Sequence, residues 1–335
     1  MSGWNPDRDS DLDPGWNVDW MSRLPPRLHD VPLWELAIPG SHDSMSFCLD
    51  ASSPLLPSQP CILTLCDRVL PRCTRTCVFR WATTQQQSVL SQQCDLGVRF
   101  LDLRVAKKPK AGGDLYFAHG LYTKLRVKET LQELSCWLDL HPSEVFIIAF
   151  SHFESLTDED HTHLMNLITS LFTHKLVYSK EIPTLRSCWV RGQQLVVSYD
   201  REQEQHPELW PGIPYWYADS PDPLEVVSYL EERQREGRPA GFYVCGLNLT
   251  EDAACVLLHP LDDLRKMTVK AAAPLLRWAA AQRAGPGAAA VNIICCDFVG
   301  LIADFCSRVI ALNYKPLLAV TMATLLHTQG ALKIS

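Results

Sequence analysis

Short apolar runs bounded by turn residues recur along the chain, and between them apolar residues fall at helical spacing. No other feature narrows the possible folds as much. Strands are predicted at Glu35–Ile38, Val98–Val105, Leu115–Ala118, Val145–Phe150, Leu195–Tyr199, Gly241–Gly246 and Val291–Cys296, with a further short one at Tyr215–Tyr217. Helices are predicted at Val127–Leu140, Glu159–Phe172, Leu224–Glu236, Met267–Ala281 and Phe298–Asn313. Strand and helix in alternation point to an α/β fold with a parallel sheet covered by helices. Eight or so such units in 335 residues fit a TIM-type (β/α) barrel, distorted by their uneven spacing, better than an open sheet. No Gly-rich dinucleotide turn follows the first strand, which counts further against the open sheet.

With 47% hydrophobic residues the chain can bury a full core, and its net charge of −7 argues against a nucleic-acid partner. Residues 1–19 are acidic and read as a flexible lead-in, onto which Trp4, Trp16 and Trp20 offer docking points. Residues 20–313 read as the barrel and 314–335 as a loosely held tail. No run reaches the roughly 18–20 apolar residues that span a bilayer; Leu317–Leu326 is too short. Thirteen cysteines without a secretory signal fit a reducing, cytoplasmic setting with free thiols. Cys61, Cys66, Cys73 and Cys77 are irregularly spaced, so buried or semi-buried thiols are expected there ahead of a zinc site. Residues 51–80 mix Pro, apolar residues and Arg68, Arg72, Arg75 and Arg80, which suits either a lid or short helix near the site, able to touch an anionic membrane, or an insertion against the barrel wall. The aromatics Trp210, Tyr215, Trp216 and Tyr217 suit either a lipid interface or the core.

Polar residues gather where strands end. Ile38-Pro39-Gly40-Ser41-His42-Asp43-Ser44 sets a histidine beside a carboxylate at a turn, with Pro39 and Gly40 expected to stop the strand. In Gly97-Val98-Arg99-Phe100-Leu101-Asp102-Leu103-Arg104-Val105, strand alternation puts Asp102 and Arg104 on one face. They form either an internal ion pair or an anion clamp suited to phosphate. Leu115-Tyr116-Phe117-Ala118-His119-Gly120 ends a strand in a second histidine, and Ile293-Ile294-Cys295-Cys296-Asp297 ends one in a carboxylate that fits a helix cap equally well.

In this order, with His141-Pro142-Ser143-Glu144 and Arg191-Gly192 before further strands, these pieces resemble the phosphatidylinositol-specific phospholipase C X-domain family, in its short eukaryotic single-domain form. The resemblance implies a distorted TIM barrel and a phosphoric diester hydrolase acting on an inositol phospholipid. It implies that His42 is the general base, oriented by Asp297, and that Arg104 steadies the phosphoryl oxygens. His119, held protonated by Asp43, would be the general acid, giving diacylglycerol and a cyclic inositol phosphate. Such a pair needs environments that split two similar pKa values around about 6.5.

Asp102, Ser151 and Tyr199 are the expected substrate-binding residues, with Ser151 and Tyr199 standing where bacterial members carry Lys and Arg. Arg104 stands where the calcium-dependent branch carries an acidic ligand, so no metal or other cofactor is expected. A monomer touching its phospholipid at a membrane surface only transiently is the expected state. A catalytically weak headgroup-binding or scaffold protein is the competing reading, and a metal-dependent glycerophosphodiesterase-type barrel a third.

Overall fold

Strands that are apolar on both faces must be covered on both sides. A computed structural model describes residues 16–86, 92–201, 206–251, 262–302 and 304–318. Residues 1–15, with Trp4 and most of the acidic lead-in, and residues 319–335, with most of the expected tail, lie outside the described residues. The strands are β1 (Ile38–Ser41), β2 (Phe100–Lys107), β3 (Leu115–His119), β4 (Leu121–Arg126), β5 (Phe146–Glu154), β6 (Leu195–Tyr199), β7 (Tyr215–Trp216), β8 (Val244–Gly246) and β9 (Ile293–Cys296). The order β6-β5-β2-β1-β9-β8-β7 is parallel throughout and curls into a distorted TIM barrel. Beyond β6 an isolated parallel bridge links Ser198 to Trp210, in the segment that leads to β7.

The helices are α1 (Cys61–Val69), α2 (Pro71–Ala82), α3 (Val127–Leu140), α4 (Asp158–Phe172), α5 (Leu185–Arg191), α6 (Pro223–Glu236), α7 (Leu264–Ala281) and α8 (Phe305–Ala311). Capping boxes at Thr157 and Thr184 start α4 and α5, and the Asp222 and Asp263 side chains cap α6 and α7. Alternation along the strands divides the core in two. Leu101, Leu103, Ile148, Val197 and Ile294 face the helices. Ile38, Phe100, Ile147, Val196, Val244 and Ile293 fill the barrel, with Trp20, Leu24 and Leu33 in the same cluster. Trp20 is fully buried and donates its indole N–H to the Gly97 carbonyl.

At one end of the barrel Arg99 and Glu144 form an ion pair at 2.7 Å with neither side chain exposed. Glu144 also accepts the Met21 and Ser22 backbone N–H groups. Arg99 lies over the rings of Trp137 and Phe146. Burying these charges is tolerable only because each has several partners.

Four expectations change. The first strand begins at Ile38, where the predicted one ended, because Leu33–Glu35 is a 3-10 turn held by Asn292 Nδ2, which donates to the Leu33 and Leu36 carbonyls. Pro39 and Gly40 lie inside β1 instead of ending it. A Cβ at Gly40 would stand 2.9 Å from Phe100 Cδ1 and 3.0 Å from Ile293 Cγ2, so the narrow interior requires the glycine. The strand ending in His119 is no part of the parallel barrel: β2 outruns β1, and β3 and β4 fold back antiparallel beside it. The last predicted helix shortens to α8, because Phe298 adopts a left-handed φ of 50° and turns the chain after β9. The hairpin strand β4 and the helix α5 are further elements that apolar periodicity left undetected, while the short helix considered for residues 51–80 is realised as two, α1 and α2.

Candidate active site

Strand alternation builds the site layer by layer. Ile38, Phe100, Ile147, Val196 and Ile293 point into the barrel, and so do the residues two and four further along each strand. The resulting cavity, about 410 Å³, is lined by His42, Asp102, Arg104, Ser151, Ser198, Asp200 and Asn248, with Phe100 at its base. His119 enters from the β3–β4 turn, and Tyr215 and Tyr217 from β7 and the residue after it.

The His42 ring is fixed from both sides. Its Nδ1 lies 2.7 Å from Asp297 Oδ1, and its Nε2 lies 2.7 Å from Arg104 Nη2. A guanidinium only donates, so Nε2 carries the lone pair and the hydrogen sits on Nδ1, shared with a carboxylate. A neutral imidazole with its basic nitrogen facing a cation and a cavity is the form a general base needs. Arg104 also contacts Asp102 Oδ2 at 3.3 Å, so the internal ion pair is present and both of its members face the cavity. Burial works against ionising Asp102, but Arg104 and then His42 outweigh it and hold this carboxyl below its ordinary value.

The turn after β1 is held by residues that sequence reading passed over. Thr84 Oγ1 donates to the His42 carbonyl, and Gln85 Nε2 donates to the His42 and Cys296 carbonyls. Gln85 Oε1 accepts the Val299 N–H. One segment after α2 therefore clamps the turns bearing His42 and Asp297 together. These residues stand in no strand-end pattern, and no sequence signal marked them. Asp43 sits at φ 38°, its N–H donating to Asp102 Oδ2.

His119 faces His42 edge to face with ring centroids 6.3 Å apart. Its Nδ1 lies 3.1 Å from Asp43 Oδ2 but 2.7 Å from the Ala82 carbonyl at the end of α2, which takes the hydrogen bond. Asp43 Oδ2 is left buried without a hydrogen-bond partner. Burial, only partly offset by Arg104, pushes the Asp43 carboxyl up to about 7. Burial, then Arg104 and His42, push His119 well below its ordinary value. The structure thus sets Asp43 beside His119, as the sequence reading expected, while burial and then Arg104 and His42 disfavour a charge on the imidazole.

Of the expected substrate-binding residues, Asp102 and Ser151 line the cavity and Tyr199 does not. Tyr199 is fully buried between sheet and α4, its hydroxyl 2.7 Å from His161 Nδ1. Alternation turns Ser198 and Asp200 inward in its place. Of the aromatics, Trp216 is buried, Trp210 Nε1 donates to the Val177 carbonyl, and Tyr215 bonds Asn248 Oδ1. Among the described residues no cluster of three His, Cys, Asp or Glu is placed to hold a metal ion, and Cys61, Cys66 and Cys73 are exposed instead of buried, because α1 and the start of α2 stand out from the barrel.

A distorted parallel barrel of this kind has structural counterparts among solved proteins. The phosphatidylinositol-specific phospholipase C of Listeria monocytogenes superposes with a TM-score of 0.61 at 17% identity, covering 89% of this chain and 98% of that one. A phosphatidylinositol-specific phospholipase C of S. aureus gives 0.62 at 18% identity, covering 89% and 97%. These likenesses establish a PI-PLC-type barrel.

The sequence narrows the assignment. The PI-PLC X domain pattern, PI-PLC X 1, matches residues 76–222. PI-PLC X domain-containing protein 1 of Danio rerio is 47% identical over 298 residues, covering 88% of this chain and 96% of the relative. Its Homo sapiens counterpart is 46% identical over 303 residues, covering 89% and 93%. The chain belongs to the family of PI-PLC X domain-containing proteins.

Proposed function

We propose that this protein is a metal-independent phosphodiesterase that cleaves an inositol phospholipid to diacylglycerol and a cyclic inositol phosphate. The observation that carries this reading is the bond from Arg104 Nη2 to His42 Nε2, made while Asp297 holds Nδ1. It leaves one neutral, oriented base beside one guanidinium, with a second histidine across the cavity.

When the diester enters, Arg104 turns from Nε2 to a phosphoryl oxygen, which frees the base and neutralises the anion. His42 Nε2 takes the proton of the inositol 2-hydroxyl, whose oxygen attacks phosphorus. His119 gives a proton to the departing diacylglycerol oxygen, and the cyclic phosphodiester remains. The negative charge of the diester opposes the effect of Arg104 on His119, so the proton shared by the Asp43–His119 pair moves toward the imidazole as substrate binds. Each proton transfer contributes about 10²–10⁴-fold.

A peripheral membrane contact accompanies this reading. Helix α1 buries none of its residues and leaves Ile62, Leu65 and Val69 exposed, with Arg68 and Arg72 close by in sequence. An apolar face with flanking cations suits the surface of an anionic bilayer. No described helix is long and apolar enough to cross a membrane.

The depressed basicity of His119 favours one second reading, a headgroup-binding protein with weak turnover. Phosphatidylinositol vesicles incubated with the protein and EDTA separate the two. Diacylglycerol and cyclic inositol phosphate should form, and His42→Ala should lose about 10²–10⁴-fold. Vesicle binding without product supports the second reading, and activity that needs added Ca²⁺ refutes metal independence.

A further inference from the structure

The hairpin of α1 and α2 stands at the rim of the cavity. It ends at Ala82, whose carbonyl takes the hydrogen bond from His119 Nδ1, and Thr84 just beyond it lines the cavity. Its first helix is seated along one edge only. Leu63 packs against the cluster of Leu49, Val78, Ala82 and Leu121, and Asp67 accepts two bonds from Arg75 of α2 at 2.7 and 2.9 Å. At 3.6 residues per turn Leu63 and Asp67 share a face. On the opposite face Ile62, Leu65 and Val69 are 64%, 56% and 72% exposed. Cys61 borders this apolar strip on one side and Cys66 on the other, and both thiols are exposed.

The charges around the strip match it to one kind of surface. The chain carries −7 overall, yet residues 51–83 hold Arg68, Arg72, Arg75 and Arg80 against Asp67 alone. Arg75 is taken up by Asp67, whereas Arg68, Arg72 and Arg80 are exposed and make no ion pair among the described residues. Apolar side chains beside free guanidinium groups fit an anionic bilayer. The other thiols are placed differently. Cys94, Cys188, Cys245 and Cys306 are buried, which pushes them up to about 12 and shuts out a bulky reagent. Cys136 is exposed on α3, but its helical neighbours include Glu133 and Asp139, which an anionic surface repels.

On the membrane contact proposed above, and independently of turnover, we infer that Cys61 and Cys66 are acceptors for reversible S-acylation by a long-chain acyl-CoA. The cysteine thiolate attacks the thioester carbonyl. A carbon–sulfur bond to the cysteine forms as the bond to the CoA sulfur breaks, and the proton lost by the cysteine ends on the CoA thiol. One thioester replaces another, so no oxidant or reductant takes part. The apolar strip brings both thiols to the bilayer, and an acyl chain adds the second signal that stable anchoring requires. Because the hairpin lies at the rim, the anchor holds the cavity mouth close to the lipid.

The test expresses the full chain in cultured animal cells fed alkynyl palmitate, and maps hydroxylamine-labile label by peptide mass spectrometry. Label is expected on Cys61 and Cys66 and absent from Cys136. Leu65→Glu puts a charge in the strip while keeping both thiols, and should cut the label at least about tenfold. The labelled protein should bind vesicles of phosphatidylcholine and phosphatidylserine at least about 10²-fold more tightly than the same protein after hydroxylamine. The double variant Cys61→Ser, Cys66→Ser changes only exposed side chains. It should lose the label, unfold at the same urea concentration as wild type, and match its turnover of phosphatidylinositol in detergent micelles.

Missing label, or label that falls equally on Cys136, overturns the inference. So does label that Leu65→Glu leaves unchanged, because exposure alone would then select the thiols. Vesicle binding and turnover by an unlabelled wild type overturn the acylation and leave the membrane contact and the phosphodiesterase reading standing. Label on Cys61 and Cys66 without turnover in micelles does the reverse for the phosphodiesterase reading.

Discussion

Replacing Asp43 by Asn tests the electrostatics of the site without relying on catalysis. Asp43 is 1% exposed, lacks a hydrogen-bond partner for Oδ2, and titrates at about 7 against an ordinary value of 3.8. Between those values the folded protein holds a proton that the unfolded chain releases, so stability falls as pH rises through that window. At about 1.36 kcal/mol per pH unit, the cost of the buried carboxylate is about 1.5–2 kcal/mol at pH 5 and about 4 kcal/mol by pH 8.5. An amide does not ionise, and Asn tolerates the positive φ.

The stability of Asp43→Asn relative to wild type should therefore rise by about 2.5 kcal/mol from pH 5 to pH 8.5, read from urea unfolding at each pH. Any fixed penalty of the amide cancels in that difference. A gap that stays constant or shrinks with pH shows that Asp43 is ionised and compensated in the fold, and the account of the shared proton falls with it. The same variant should turn over substrate more slowly, because His119 then lacks its neighbouring proton store.

Other expectations concern single contacts. Arg104→Lys keeps the charge but loses the fork that meets both His42 and Asp102, and should lower kcat about 10²-fold in the vesicle assay. Glu144→Gln strips the buried Arg99 of its counter-charge and should cost about 3–5 kcal/mol in unfolding free energy; a loss under 1 kcal/mol would show that carbonyls alone satisfy the guanidinium. Gly40→Ala forces a methyl against Phe100 and Ile293 and should cost about 1–3 kcal/mol, with no rescue by pH.

The parallel barrel and the inward pair Asp102 and Arg104 could be read from a period of two, because a strand buried on both faces leaves no other place for charges. His42 and Asp297 were legible as polar residues at the ends of such strands, whereas His119 ends a strand of the antiparallel hairpin outside the barrel. The first strand was misplaced because Pro39 and Gly40 look like punctuation, and only the crowding by Phe100 and Ile293 shows why a barrel strand uses them. Tyr199 was assigned to the cavity by position in the motif order, although the alternation that put Asp102 and Arg104 inward turns it outward. The clamp of Thr84 and Gln85 acts through backbone carbonyls, which any sequence has in plenty.

The first and last barrel strands lie side by side, and the dyad they carry joins residues 255 positions apart. The stretch matched by the domain pattern, residues 76–222, contains Arg104 and His119 but neither His42 nor Asp297. During synthesis the clamp and the second histidine emerge long before the base has its carboxylate. A nascent or clipped chain that stops short of β9 has no ring to close and no oriented base. Under the proposed mechanism any hydrolysis would require β9, so partial products of translation or proteolysis would lack the carboxylate that orients His42.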